Sequence, residues 1–457
     1  MTELPTGLIT SLADARGFDK EAFIRVHESG EQITSIRINP AKITSVDTVF
    51  LAAEKVPWSS YGYYLPERPS FTFDPLFHAG LYYVQEASGM FVEQALRQSV
   101  DLTQPLRVLD LCAAPGGKST LLQSLISKES LLVSNEVIKS RVHLLEENIT
   151  KWGAANVVVT SNDPKDFARL ENYFDVVVID APCSGSGLFR RDPGAIREWS
   201  ESNVQLCHQR QQRILADVWP ALKQGGVLIY STCSYSKEED EDILDWITEQ
   251  FDVKSTRLEA DPGTGIVETV SDKQGAYGYR FYPDKTKGEG FFIAALQKQD
   301  GDAWEGVRLK KNTLEKPAKT EEQLLRPWLR PTEDLVFFRQ KEDIIALPSC
   351  FQTDVLALQS ALYIKKAGVT AGKPAHGELL PDHQLALSTL VSPELVIIPL
   401  NKEQSVQYLR REEVRPDTNY RGWALVSYAG HHLGWVKVLA NRMNNYYPKE
   451  WRILKAP

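Results

Sequence analysis

From about residue 106 to 298 the chain alternates short apolar runs with longer segments whose apolar residues recur every three or four positions. The short runs are predicted strands and the periodic segments are predicted helices. We predict strands over 106–111, 131–135, 157–160, 174–179, 226–230 and 290–296, and helices over 118–126, 138–151, 204–222 and 238–250. The strand at 174–179 is almost continuously apolar, as parallel strands buried on both faces are. The pattern predicts a Rossmann-like, doubly wound α/β domain.

The segments on either side of this domain have other patterns. Residues 1–75 are predicted to form a small α/β domain, with a helix near 8–28 and a strand at 34–38. The central domain then covers 76–298, and the polar stretch 299–320, with Gly301, Gly306 and Pro317, is a predicted linker. Residues 321–390 are predicted to form an α/β accessory domain, and residues 391–457 a β-rich domain.

The bulk composition changes this picture little. The 457 residues have a formal net charge of −8 and 42% hydrophobic residues, which is ordinary for a globular protein. No apolar run suits a signal peptide or a membrane span. Five cysteines at 112, 183, 207, 233 and 350 form no CxxC pair, which argues against a disulfide framework or a metal site. We therefore expect a cytoplasmic protein that binds neither membrane nor metal.

The segment 110–120, Asp-Leu-Cys-Ala-Ala-Pro-Gly-Gly-Lys-Ser-Thr, joins the first predicted strand to its helix. Gly117-Lys118-Ser119 copies the end of a P-loop, but Cys112 stands where the first P-loop glycine belongs. Pro115 also lacks the N–H that a phosphate cradle needs. The G-x-G-x-x-G fingerprint of dinucleotide-binding folds is absent too. A loop of small residues without these features still suits S-adenosylmethionine, which has no phosphate.

Acidic residues follow the next three strands. Glu136 ends the second strand, where an acid typically accepts from ribose hydroxyls, and Asp163 follows the third, where it could accept from an adenine amino group. Asp180 ends the fourth strand. Since the carboxyl ends of parallel strands share one edge, we expect these acids to converge near the topological switch point. The alternative is that each acid only caps the next helix.

Two cysteines also follow strand ends, Cys183 in Asp-Ala-Pro-Cys-Ser-Gly and Cys233 in Ser-Thr-Cys-Ser. Their strands are neighbours in the usual order of this fold, so both thiols should reach one pocket. A thiolate that adds to C6 of cytosine makes C5 nucleophilic toward a methyl donor, and it leaves again once a base has removed the C5 proton. Lys118 or a sulfonium could lower the pKa of such a thiol. These residues alone do not decide which cysteine attacks. Cys112, Cys207 and Cys350 are interpreted as small buried hydrophobic residues.

Residues 404–457 contain nine cationic and four anionic residues together with eight aromatic ones. Basic residues interleaved with aromatics are typical of RNA-binding surfaces, where phosphates need charge and unpaired bases need flat partners. The alternative is a small β domain with a solvated cationic face and an aromatic core.

These motifs resemble those of the NOL1/NOP2/Sun family of RNA 5-methylcytosine methyltransferases. The resemblance rests on Asp110 to Lys118, on Asp-Ala-Pro-Cys183-Ser-Gly and on Ser-Thr-Cys233-Ser. The segments at 82–88, Tyr-Tyr-Val-Gln-Glu-Ala-Ser, and at 190–193, Arg-Arg-Asp-Pro, match further family motifs. The flanks at 377–387, 434–437 and 445–452 are similar to one bacterial branch that acts on 16S rRNA and ends in a PUA-like RNA-binding module.

The resemblance implies the roles of individual residues. Cys233 would be the nucleophile, Cys183 would assist product release, and Asp180 or Lys118 would support the base. The implied cofactor contacts for S-adenosylmethionine are Cys112, Ala113, Ala114, Pro115, Gly116, Gly117, Lys118, Glu136, Arg141, Asp163 and Asp180. The implied partner is RNA, either 16S rRNA or the 30S subunit, bound through the domains at 1–75 and 391–457. We expect a monomer.

Two other classes of function remain possible from the residues alone. A nucleotide-dependent transferase is suggested by Gly117-Lys118-Ser119, and it would bind ATP with magnesium. A non-catalytic RNA-binding factor in ribosome assembly would tolerate replacement of both cysteines.

Overall fold

A mixed ten-stranded sheet forms the centre of the computed structural model, which describes residues 4–301, 314–415 and 418–455. The strands from the central part of the chain are β5 (Arg107–Asp110), β6 (Leu131–Asn135), β7 (Val157–Thr160), β8 (Phe174–Asp180), β9 (Leu222–Thr232), β10 (Val253–Thr256), β11 (Val267–Val270), β12 (Tyr277–Phe281) and β13 (Phe291–Lys298). The helices between them are α4 (Val92–Ser99), α5 (Gly117–Leu125), α6 (Lys139–Trp152), α7 (Gly194–Glu198), α8 (Glu201–Val218) and α9 (Glu241–Gln250).

Five strands of this sheet are parallel, in the order β9-β8-β5-β6-β7, and the strand order reverses between β5 and β8. Residues next to each other on a strand face opposite sides of the sheet. Val108 therefore packs in the core under α4, α5 and α6, while Leu109 packs in the core under α8 and α9. The predicted doubly wound α/β fold is confirmed, and its switch point lies beside the end of β5.

The N-terminal part of the chain forms an antiparallel sheet in the order β2-β3-β1-β4. Its elements are α1 (Thr6–Ser11), α2 (Lys20–Glu28), β1 (Thr34–Ile38), β2 (Glu54–Lys55), β3 (Gly62–Leu65), α3 (Pro75–His78) and β4 (Tyr82–Val84). The single helix predicted near 8–28 is wrong, because two helices occupy that stretch. Gly17 has a φ of +79° between them, and the Asp19 side chain accepts from Ala22 N to begin α2.

The C-terminal part forms two four-stranded sheets. The first contains β14 (Leu335–Gln340), β15 (Asp343–Pro348), β17 (Val369–Ala375) and β18 (Glu378–Pro381), with α10 (Lys319–Leu325), α11 (Gln352–Ala361) and α12 (His383–Leu387). The second contains β19 (Ile397–Pro399), β20 (Gly422–Tyr428), β21 (His431–Val438) and β22 (Met443–Asn445), with α13 (Lys402–Leu409). Most of the predicted linker lies outside the described residues.

The flanking parts of the chain are joined to the centre by shared cores. Strand β16 (Ile364–Ala367) leaves the accessory part and pairs antiparallel with β7, so it extends the central sheet. Ile36 and Tyr82 of the N-terminal part share a core with Val426 and Val436. Trp435 packs with accessory residues in another core. Removing residues 391–457 would therefore expose apolar surface both on the removed segment and on the rest of the chain.

Candidate active site

The loop between β5 and α5 is shaped by residues from the neighbouring strand and helix. Gly116 has a φ of +116° at the start of α5, a backbone conformation that residues with a Cβ rarely adopt. Ala113 N donates to the carbonyl oxygen of Asn135 at 2.8 Å. Arg141 Nη2 donates to the carbonyl oxygen of Ala114 at 2.5 Å. The end of β6 and the start of α6 thus hold the loop open along the carboxyl edge of the sheet.

Asp110, the last residue of β5, lies beneath this loop. Its Oδ2 accepts from Ser119 Oγ at 2.6 Å, while Oδ1 is buried without a hydrogen-bond partner among the described residues. Burial raises the pKa of Asp110 to about 7. A buried carboxylate is stabilised when a cation lies beside it. The sulfonium and ammonium groups of S-adenosylmethionine are cations, so the residues present fit that molecule.

The two acids expected at the adenosyl end also lie at strand ends. Glu136 is buried after β6, where its Oε1 accepts from Ile138 N at 2.8 Å and its Oε2 lies 3.7 Å from Arg141 Nη1. Asp163 is half-buried after β7, and its Oδ1 accepts from Lys165 N at 3.2 Å. The capping role that the sequence left open as an alternative is therefore real for Asp163, which caps the turn Pro164–Arg169, but not for Glu136, because α6 has no side-chain cap. It does not exclude a ligand at the same edge.

A pair of apolar side chains that the sequence did not single out follows Glu136. Val137 is 50% exposed and Ile138 is 47% exposed. Exposed apolar residues directly after a strand-end acid that is expected to bind ribose would provide a surface for a flat, apolar ring. Their position after a strand-end acid is the signal that could have identified them.

Cys183 and Cys233 meet at the ends of β8 and β9. The two strands are parallel, with Asp180 opposite Ser231, and the two Sγ atoms are 2.9 Å apart. The hydrogen bond with Cys233, burial and the charge of Glu239 together hold the pKa of Cys183 well above its usual range. The expectation that both thiols reach one place is confirmed.

Lys118 and Asp180 form an ion pair beside the thiols, with 2.7 Å between Nζ and Oδ2. Ser231 Oγ donates to Asp180 Oδ1 at 3.0 Å. Burial disfavours the ammonium of Lys118, but the carboxylate of Asp180 outweighs it and raises the pKa of Lys118, and Cys233 contributes in the same direction. Lys118 belongs to α5 and Asp180 to β8, so this pair connects the predicted cofactor loop with the cysteines.

The other cysteines have different surroundings. Cys207 is buried on α8, and Cys112 is half-buried against the core at the end of β5, where burial raises its pKa. Cys350 is exposed, so its interpretation as a buried residue is wrong. It lies in the turn Ser349–Phe351 before α11.

The acidic run 238–242 at the start of α9 is largely buried, although a run of charged residues is usually solvated. Glu239, Asp240 and Glu241 are buried. Asp240 and Glu241 pair with the buried guanidinium of Arg280, while Glu239 lies against the loops that contain the cysteines. Two of their partners, Ser184 and Arg280, are distant in sequence, so the run itself gave no sign of burial.

A second feature that the sequence did not indicate is a set of hydrogen bonds from the N-terminal part of the chain to α5. Arg37 on β1 is fully buried, and its Nη2 donates to Thr120 Oγ1 at 2.6 Å and to the carbonyl oxygen of Gly117 at 3.3 Å. Its Nε donates to Gln85 Oε1 at 2.8 Å. The N-terminal sheet is thereby bonded to the first turns of α5, directly behind the loop.

The aromatic residues of the C-terminal part lie mostly in its core. Tyr408, Trp435 and Tyr447 are at most 1% exposed. The remaining aromatics of this segment pack partly buried against the cores, namely Tyr420, Trp423, Tyr428, Tyr446 and Trp451. The core interpretation therefore holds for these three buried aromatics, which cannot stack on RNA bases, while the other five keep part of their surface exposed.

The described residues, with gaps at 302–313 and 416–417, contain no group of three or more His, Cys, Asp or Glu side chains that could hold a metal ion. Within the same part of the chain, every helix is too short or too polar to cross a membrane.

The strand order, the loop after β5 and the acids at the strand ends define the fold of S-adenosylmethionine-dependent methyltransferases. Three family models match the chain. They are 16S rRNA methyltransferase RsmB/F over 98–297, the N-terminal domain of 16S rRNA methyltransferase RsmF over 4–87, and the methyltransferase RsmF PUA domain over 396–453.

The curated relatives include ribosomal RNA small subunit methyltransferase F of Shewanella loihica, 30% identical over 440 residues that cover 91% of this chain and 88% of that protein. The protein of the same name from Aliivibrio fischeri is 30% identical, with 91% and 90% covered. The chain belongs to the ribosomal RNA small subunit methyltransferase F family. It is an S-adenosylmethionine-dependent methyltransferase, which excludes the nucleotide-dependent transferase suggested by Gly117-Lys118-Ser119.

Solved structures agree. A methyltransferase homolog protein from Pyrococcus horikoshii has a TM-score of 0.52 at 29% identity, covering 65% of this chain and 100% of that one. The structure of NSun6 from the same organism with SFG has a TM-score of 0.53 at 20% identity, covering 65% and 99%, and shares the fold.

Proposed function

We propose that this enzyme transfers a methyl group from S-adenosylmethionine to C5 of a cytosine in 16S rRNA, with Cys233 as the nucleophile and Cys183 assisting elimination. The observation on which this rests is the 2.9 Å approach of the two Sγ atoms beside the Lys118–Asp180 pair. A reaction in which one thiol forms a bond to the base and a second thiol helps to break that bond requires both thiols at the same place. The names of the relatives support 16S rRNA as the substrate.

The surroundings of the thiols favour Cys233 as the nucleophile. Cys183 has a raised pKa and therefore stays protonated at neutral pH, and a thiol is a poor nucleophile. Cys233 lies close enough to Lys118 that its negative charge helps to raise the pKa of that lysine.

The steps of the reaction distribute over this chain's residues as follows. The thiolate of Cys233 adds to C6 of the cytosine, while Asp180 accepts from the exocyclic amine and Lys118 donates to the ring N3 or holds Asp180 in place. The cofactor, when bound, supplies the methyl group that C5 accepts. A base then takes the C5 proton, and the electron pair of that C–H bond expels Sγ of Cys233 as a thiolate. The base is a group that Cys183 positions, or Cys183 itself once it has given up its own proton.

The cofactor would lie along the strand ends. The loop 112–118 would surround its methionine part, Glu136 would accept from its ribose hydroxyls with Arg141 holding Glu136, and Asp163 would accept from the adenine amino group. Asp110 Oδ1 would face its positive charge. Val137 and Ile138 would pack on the adenine ring.

The N-terminal domain at 1–75 and the PUA-like domain at 391–457 would bind the RNA on either side of the methyltransferase domain at 76–298. The region 321–390 would connect them. Exposed cations such as Arg421, Arg442 and Lys449 on the C-terminal domain suit phosphates better than its aromatics suit bases.

The test is to incubate the full chain with methyl-labelled S-adenosylmethionine and either deproteinised 16S rRNA or 30S subunits, and then to digest the RNA. We expect labelled 5-methylcytidine by mass spectrometry from at least one of the two substrates, at a position that bisulfite sequencing locates. Label in another nucleoside, or none in either RNA, would contradict the proposal.

A further inference from the structure

Glu239 lies between the two loops that contain the cysteines. Its Oε1 accepts from Ser184 N at 2.8 Å, and its Oε2 accepts from Ser184 Oγ at 2.5 Å and from Ser234 Oγ at 2.6 Å. Ser184 directly follows Cys183, and Ser234 directly follows Cys233. One carboxylate therefore binds the neighbouring residue of each thiol.

A glutamine from α8 completes this contact. Gln211 Nε2 donates to Glu239 Oε1 at 3.2 Å and to the carbonyl oxygen of Pro182 at 3.0 Å. Pro182 directly precedes Cys183. The segment around Cys183 is thus held on both sides of the thiol by Glu239 and by its partner.

The backbone of Glu239 is itself fixed. It ends the turn Lys237–Glu239 after β9, and its carbonyl oxygen accepts from the hydroxyl of the buried Tyr230 at 2.7 Å. The next carboxylates of the run face elsewhere, since Asp240 accepts from Thr232 Oγ1 and Glu241 binds Arg280. Glu239 is therefore fixed by contacts outside the cysteine loops, and it can hold both loops in place.

Burial of a carboxylate is costly unless its oxygens are hydrogen-bonded. Glu239 is fully buried, and burial raises its pKa while the bonds from Ser184 and Ser234 oppose the rise. An apolar residue would fill such a position at lower cost. Burial of a carboxylate at this position is explained if its function is to hold the two thiols in a fixed geometry.

We propose that Glu239 is a positioning residue that holds the Cys183 and Cys233 loops at a fixed separation, so that both thiols meet the same face of the target base. This inference rests on the proposed two-thiol chemistry. Glu239 has no hydrogen bond to the loop after β5 among the described residues, and it acts on the cysteine loops through Ser184, Ser234 and Gln211.

The charge of Glu239 has a second consequence. After the bond with Cys233 and burial, it contributes to the raised pKa of Cys183. Removing the charge while keeping the hydrogen bonds should lower the pKa of Cys183. Any loss of activity caused by ionisation of Cys183 would then begin at a lower pH.

The variants Glu239→Ala and Glu239→Gln separate the two effects. Alanine removes every bond to the cysteine loops. Glutamine keeps an acceptor for Ser184 N, and its amide can donate to the two serine hydroxyls, which can accept as well as donate. Glu238→Ala is the matched control, because its carboxylate is the neighbour in the same turn and has no hydrogen bond to Ser184 or Ser234 among the described residues.

The first readout needs no RNA. Diamide oxidises two adjacent thiols to a disulfide and takes up the two protons and two electrons they lose. Peptide mapping by mass spectrometry should show rapid formation of the Cys183–Cys233 disulfide in the unaltered enzyme and in Glu238→Ala. It should be about tenfold slower or more in Glu239→Ala, because the thiols no longer stay in contact.

The second readout is turnover. With Glu239→Ala we expect kcat to fall on the order of a hundredfold, as misplacement of reacting groups by about 1 Å commonly causes, while the affinity for S-adenosylmethionine is unchanged. Glu239→Gln should recover most of the kcat and shift the alkaline limb of the pH profile downward. If Glu239→Ala does not fold, the pH shift and disulfide rate of Glu239→Gln still test the proposal.

Wild-type disulfide rate and kcat in Glu239→Ala would overturn the positioning role, and so would an unshifted pH profile together with an altered disulfide rate in Glu239→Gln. Failure of the proposed chemistry would look different. It would appear as methyl transfer by Cys233→Ala, whatever the disulfide rates of the Glu239 variants.

Discussion

The carboxyl edge of the central sheet and the C-terminal domain differ in how their polar and aromatic residues are used. At the sheet edge, Lys118 pairs with Asp180 and Cys183 contacts Cys233, all within reach of a ligand. In the C-terminal domain, aromatics whose sequence pattern is typical of a base-stacking surface pack in the core or against it, and Trp435 is 1% exposed. Residues at strand ends are placed by the order of strands, whereas the exposure of an aromatic depends on what packs over it.

Replacement of Cys233 is the strictest test of the chemistry assigned to the sheet edge. Cys233→Ala should reduce methyl transfer on the order of a thousandfold or more, because loss of a nucleophile removes the covalent route. Binding of S-adenosylmethionine should be near normal, since the proposed role of this thiol is a bond to the base and not a contact with the cofactor. Label transfer to RNA and calorimetry measure the two effects. Substantial turnover by this variant would remove Cys233 from its role.

Cys183→Ala should have a smaller and different effect. If Cys183 serves elimination, the variant still forms the bond to C6 but releases RNA slowly, so a covalent protein–RNA band should accumulate on denaturing gels. The double variant Cys183→Ala with Cys233→Ala is the control and should give no band. A band with Cys233→Ala alone would mean that the two roles are reversed.

The sheet edge was predictable because its chemistry follows from strand order. Asp180 and Ser231 lie opposite each other on β8 and β9, which places the cysteines that follow them side by side. This could be derived from two apolar runs and two short motifs. The choice of Cys233 as nucleophile came from resemblance to a family, and the structure now adds the raised pKa of Cys183 and the position of Lys118 in its favour.

Other parts were not predictable, because they depend on contacts between distant segments. Arg37 contacts α5 across more than eighty residues of sequence, and Glu239 contacts Ser184 across more than fifty. A short apolar run such as Ile364–Ala367 gives no sign that it pairs with β7 of another domain. Local patterns report periodicity and strand ends, but they do not report which remote surface covers a residue.

Replacement of Glu136 tests the part of the sheet edge that is expected to bind the cofactor. Hydrogen bonds to a charged group contribute about 1.5–3 kcal/mol, so Glu136→Ala should weaken S-adenosylmethionine binding roughly ten- to a hundredfold. Glu136→Gln should lose less, because it keeps an acceptor oxygen. Glu171→Ala, an exposed acid before the amino end of β8, is the control. Unchanged calorimetric affinity in Glu136→Ala would place the ribose elsewhere.

The smallest expected effect concerns the C-terminal domain. Arg421, Arg442 and Lys449 are exposed, and none of them forms an ion pair within residues 4–301, 314–415 and 418–455. Replacing all three with alanine should weaken binding to 16S rRNA by about tenfold or less at moderate salt, because each phosphate contact on single strands contributes a salt slope of about −0.7. The slope of log affinity against log salt should flatten by roughly 2.

Arg415→Ala is the matched control for this triple variant, because the guanidinium of Arg415 is exposed but paired with Glu413. Arg415→Ala should change the RNA affinity and its salt slope less than replacement of any one of Arg421, Arg442 and Lys449. Point variants are preferable to deletion of 391–457, since Leu425 and Trp435 lie in a core shared with accessory residues such as Leu385. Truncation would therefore expose apolar surface and confuse loss of RNA contacts with loss of folding. If the triple variant binds with unchanged affinity and salt dependence, the cations of this domain form a solvated face. The RNA would then be held by the N-terminal and central domains.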